Sequence, residues 1–144
     1  MATGVPVFEK TIEKTNAWLA EVETLMNWHD RHRAYVALRA VLHALRDRIP
    51  PDEVAQFAAQ LPMLIRGFFY EGWHPAHKPQ KYRHKQEFLD QVIVEAPALE
   101  ADELERVVTA VFAILGSELG SGETDQVRAH LPAEIRELWP RPGL

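Results

Sequence analysis

Apolar residues recur along this chain at the spacing of helices, and no stretch predicts a strand. Phe8, Ile12, Leu19, Val22 and Met26, with Trp18 and Leu25 beside them, share one face and predict a first amphipathic helix to about Asn27. Trp28, His29 and Asp30 then form a turn, and Asp30 suits the N-cap of the next helix. That helix carries Leu38, Val41, Leu42, Leu45 and Ile49 on a single stripe, and Val108, Val111, Phe112, Leu115 and Leu119 form the same stripe later on. The first stripe must end at Pro50-Pro51, because proline removes a backbone donor. The second is expected to end at Gly120-Ser121-Gly122, through a left-handed glycine exit. Pro51 fits the first position of a new helix, and Pro62 and Pro132 each divide a short helix from another beginning at the proline. The last helix of the first half should end near Gly72. A further helix should run from His84 or Lys85 to about Glu95. The expected fold class is all-α, with eight helices.

The two stripes belong to a longer internal match. Residues 18–69 align without a gap to the segment seventy residues further on, and 12 of those 52 positions are identical. They are Leu19, Val22, Ala40, Val41, Leu45, Glu53, Gln56, Ala59, Leu61, Pro62, Ile65 and Arg66 with their partners. A fixed offset of this length is the mark of a duplicated unit. The expectation is one helical domain over residues 1–144: a first repeat at about 8–73, a connector at 74–85 and a second repeat at about 86–139. The two four-helix units would pack face to face about a pseudo-twofold.

At 144 residues the chain suits one domain with a sizeable core. It has no cysteine, which excludes disulfides and thiolate metal sites. No apolar run has the length of a membrane span, and the first residues lack the pattern of a signal peptide. A cytoplasmic protein is expected. The net charge of −5 is uneven: residues 1–28 sum to −2, 29–86 to +5 and 87–144 to −8. Such asymmetry can steer one copy toward another, or toward a charged partner. The acidic second half argues against a nucleic-acid footprint.

Candidate chemistry is sparse. The duplicated Glu53 with Arg66, and Glu123 with Arg136, stand thirteen residues apart across the proline break, and are expected to form structural ion pairs that fix the helix angle. His29 and His32, like His74 and His77, have ligand-like spacing, but neither pair has a third ligand, so no metal or other cofactor is assigned. His43 falls beside the core stripe and reads as a satisfied interior histidine. No phosphate loop, nucleophile elbow or zinc helix motif is present, so no catalytic residue is named. What is not duplicated stands out: the aromatic run Phe68–Trp73 and the connector HPAHKPQKYRHK, with four Lys or Arg and no acid. The run is expected to bury the seam between the units. With the connector it also supplies the candidate partner surface: Phe69, Tyr70, Trp73, Lys78, Lys81, Tyr82, Arg83 and Lys85.

These stretches carry a resemblance. HDRHRAYVALRAVLHALRDRIPP at 29–51, AAQLPMLIRGFFYEGWHP at 58–75 and KPQKYRHKQEFLDQV at 78–92 resemble the bacterial domain-of-unknown-function family 2267 over about Phe8 to Trp139. The resemblance implies an all-helical protein and supplies no catalytic residues. The function expected is a non-enzymatic interaction or scaffolding protein that binds a protein partner or a second copy. The alternative is a small-ligand or metal-binding bundle, with or without catalysis, and a closed polar pocket between the units.

Overall fold

The computed structural model describes residues 3–140. Among them are eight helices and no strand: α1 (Pro6–Met26), α2 (Arg31–Arg48), α3 (Pro51–Ala59), α4 (Met63–Tyr70), α5 (Lys85–Glu95), α6 (Ala101–Glu118), α7 (Ser121–Ala129) and α8 (Ala133–Arg136). The local signals explain most boundaries. α1 stops at Asn27, a left-handed residue at φ 56°, where the amides of Asn27 and Trp28 bond back to Thr24 and Glu23. Asp30 caps α2 by accepting the Arg33 amide at 3.0 Å. Glu103 closes a capping box at the start of α6.

The junction α6–α7 departs from expectation. No left-handed glycine is used. Leu119 and Gly120 are extended, at φ −105° and −63°, and α7 already begins at Ser121. The proline junction α2–α3 has nearly the same shape, with Ile49 at φ −105° and Pro50 at φ −61°. Pro62 and Pro132 stand just outside α4 and α8 as N-caps, rather than opening them. α8 lasts four residues and stops at Arg136.

The core lies between α2 and α6. Leu38, Val41, Leu42 and Leu45 of α2, and Val108, Val111, Phe112 and Leu115 of α6, are all 0% exposed. Each long helix also takes a partner from the other half of the chain: α2 packs on α5, and α1 on α6. α4 leans on α1 and α2, α8 on α5, and α3 meets α7. No helix of the described residues is long and apolar enough to cross a membrane.

Candidate functional site

The aromatic end of α4 packs on α1, α2 and α3, all in the first half of the chain. Phe69 is fully buried, with its ring 5.5 Å from both Phe57 and Tyr70, and Phe68 meets Tyr35 edge-on at 5.3 Å. The expected binding role of Phe69 is therefore corrected: it is core, because α4 is short and its Ile65–Phe68–Phe69 face turns inward. Tyr70 and Trp73 are partly buried and pack on each other.

Side chains of α2 hold this end in place. The last carbonyls of any helix lack partners within it. His43, 3% exposed, donates from Nε2 to the Phe68 carbonyl at 2.6 Å, while its Nδ1 lies 2.7 and 3.0 Å from the Glu95 oxygens. Arg46 donates to the Phe69 and Glu71 carbonyls, each at 2.8 Å. Arg39 completes the row with Glu95 at 2.8 Å. These positions, one stripe of α2, have Thr109, Ala113 and Gly116 as their counterparts seventy residues on. That asymmetry was a readable signal for Arg39 and Arg46.

The connector is held at several points. Gln80 donates its amide to the Asp47 carbonyl at 2.8 Å, and Arg48 donates to the Tyr82 carbonyl at 2.9 Å from over its ring. Burial pushes the Tyr82 phenol upward, first among the causes. Lys85 pairs with Glu105, and Lys78 is partly buried. Lys81 and Arg83 remain exposed. The eight candidate surface residues are thus divided among the core, the end of α4 and the connector.

The ion pairs expected within each half are not the ones formed. Arg66 donates to the Ala58 and Leu61 carbonyls at 3.0 and 2.9 Å, and Arg136 donates to the Leu131 carbonyl at 2.8 Å. Arg66 thus closes one carbonyl of α3 and one in the bend before Pro62, and Arg136 closes one in the bend before Pro132. Glu53 and Glu123 stand at the other ends of α3 and α7, out of that reach. Glu53, 5% exposed, has His130 as its ion-pair contact, at 3.6 Å. Burial, then the charge of Glu53, raises the Glu123 carboxyl above its ordinary value. Among the described residues no three His, Asp or Glu side chains are grouped to hold a metal ion.

The surface with room for a partner lies elsewhere. An open groove of about 790 Å³ runs between α1 and α4, walled by Phe8, Ile12, Met63 and Leu64, with Phe68 and Leu19 below. It belongs to one half of the chain and is not a closed space between the halves. The two threonines of its α1 wall are already engaged. Thr15 donates to the Thr11 carbonyl at 2.7 Å, and the Leu64 amide donates to the Thr11 hydroxyl at 2.9 Å. Reasoning from sequence missed these wall residues. The signal was present: Met63 and Leu64, both large and apolar, correspond to a small Ala133 and a charged Glu134.

The family model described as an uncharacterized conserved protein, DUF2267, matches residues 15–138. The chain belongs to the DUF2267 family. Comparison with curated proteins finds no match. The DUF2267 match takes in the α2 row, the aromatic end of α4 and the connector, and it begins after Phe8 and Ile12. One wall of the groove in this DUF2267 protein is therefore built partly from the segment ahead of the matched region.

Proposed function

We propose that this DUF2267 protein is a duplicated four-helix unit, folded on itself about a pseudo-twofold, that acts as a non-enzymatic interaction protein with the α1–α4 groove as its docking face. Several observations support the duplication. α2 and α6 have equal lengths seventy residues apart, as do α3 and α7. Their exit dihedrals agree, and the packing of α2 on α5 is answered by that of α1 on α6.

One observation carries the functional reading. Of eight large hydrophobic side chains left exposed among the described residues, four (Phe8, Ile12, Met63 and Leu64, each 38–47% exposed) wall this single groove. Scattered exposed apolar residues need no explanation, but a concentrated patch marks a contact surface. Ile12→Glu with Leu64→Glu should leave folding intact, because both side chains already touch water. The tagged variant should lose the proteins that the wild type retains from its native cell extract. Identical captured sets from the two, with both melting normally, would refute the reading.

A further inference from the structure

Four helices of this chain carry a glutamate at their third position: Glu53 in α3, Glu87 in α5, Glu103 in α6 and Glu123 in α7. Glu87 and Glu103 turn back to the amide of their own N-cap residue and close capping boxes. Glu53 has no such amide to take, because its N-cap is Pro50. Glu123 forms no box with Gly120 either. Both belong instead to the contact between α3 and α7, where the short helices of the two halves meet. Glu53 Oε1 and Glu123 Oε1 are buried there, and neither has a hydrogen-bond partner among the described residues. The helix dipole favours a carboxylate in a first turn. Burial without a donor opposes it, and so does a second like charge at the same contact.

We infer that the α3–α7 contact is a proton-operated latch between the halves, closed when a proton neutralises one of the two glutamates and loosened when both are ionised. The basic groups around it do not replace that proton. From α7, His130 Nε2 stands 3.6 Å from Glu53 Oε2, beyond hydrogen-bond reach, on a side chain 41% exposed. Arg128 reaches Asp125 at 3.7 Å and lines a recess with Trp139. From α4, Arg66 is engaged with the Ala58 and Leu61 carbonyls. At the end of α6, Glu118 adds a further negative charge, in a recess it shares with Gln60 and with Lys14 of α1. Asp52, on α3 itself, is exposed. Burial and the charge of Glu53 both favour a proton on Glu123. The folded contact is therefore stabilised in full below the ordinary carboxyl value of 4.5, and loses that stabilisation as pH rises through the raised one. α7 packs on α3 and α6, so a loosened latch leaves it held from one side.

The test is amide hydrogen exchange of the whole chain, followed by NMR at pH 4.5 and pH 7.5 and corrected for intrinsic rates. At pH 7.5 the amides of Val127, Arg128 and Ala129 should exchange ahead of those in the α2 core, as a local opening requires. Their protection should be at least about fivefold higher at pH 4.5, or about 1 kcal/mol. In Glu53→Gln/Glu123→Gln that difference should vanish, with α7 protected at both pH values. If the wild-type α7 amides exchange only together with α2, the contact does not open by itself and the latch is overturned. A pH difference that persists in the double glutamine variant would place the sensor elsewhere. One abolished by His130→Gln would make the imidazole the sensor in place of the glutamates.

Discussion

His43 shows how much can hang on one undistinguished position in a hydrophobic stripe. Its ring joins three helices by meeting the Phe68 carbonyl of α4 and the Glu95 carboxylate of α5 from α2. Both partners are acceptors, so the ring serves them by donating. His43→Phe keeps the volume but leaves a buried carbonyl and a partly buried carboxylate short of donors, which should cost about 3 kcal/mol. Urea unfolding checks this, and a loss under about 1 kcal/mol would mean that water replaces the ring. Glu123 predicts the opposite sign. Its carboxyl is held above the ordinary 4.5, chiefly by burial. A raised carboxyl favours the protonated folded form, so its stabilisation is complete below pH 4.5 and is lost as pH rises through the raised value. Glu123→Gln should therefore melt higher than the wild type at pH 7, with the gap closing toward pH 4. Melting curves at the two pH values decide it. A variant that melts lower than the wild type at pH 7 would show that the charged carboxylate is the form the fold wants.

At the scale of elements, periodicity and punctuation together explain which helices form. Stripes such as Leu38–Ile49 set the buried faces, and Asp30, Pro50 and Pro62 set the ends. Where the reading failed, composition misled about conformation. Gly120 suggested a left-handed exit, yet packing imposes on it the extended shape that Pro50 adopts by chemistry. Arg66 and Arg136 failed for a related reason. Sequence shows that a charge is kept in both halves, but not that the nearest acceptors are main-chain carbonyls ahead of the proline rather than carboxylates. Arg66 closes two such carbonyls and Arg136 one. Arg66→Ala should therefore cost about 2 kcal/mol and Arg136→Ala about 1 kcal/mol, with hydrogen bonds from charged donors weighted above neutral ones. Equal losses in chemical denaturation would mean that the second carbonyl contact contributes nothing. Glu53→Gln should not reproduce the Arg66 loss, since that glutamate is not its partner.

For the whole molecule, the uneven charge along the chain has an internal destination. Arg33 meets Glu103 at 2.6 Å, Arg39 meets Glu95 at 2.8 Å and Lys85 meets Glu105 at 3.1 Å, each joining the positive segment to the acidic one. The sequence showed the two charges but not that they face each other within one molecule. It expected the aromatic run to bury the seam between the halves, yet its rings pack on Tyr35 and Phe57 of the first half, and the groove stayed hidden because exposure depends on how α4 leans against α1. The same cross-packing makes the halves interdependent. α2 is covered by α5 and α6 by α1, so a separated half would expose the stripes that its partner now buries. Residues 1–75 and 76–144, produced separately, should each lack cooperative melting. Below about 80 residues, a core that has lost its opposite face falls short of the conformational entropy it must offset. Mixed in equal amounts, the fragments should regain helicity and a single transition whose midpoint rises with concentration. Cooperative folding of the first fragment alone would place its core within α1–α4 and remove the shared α2–α6 core as the source of stability. The charges make a second distinction. Because Arg33–Glu103 and Arg39–Glu95 join the fragments, added salt should slow their association more than it weakens the intact chain.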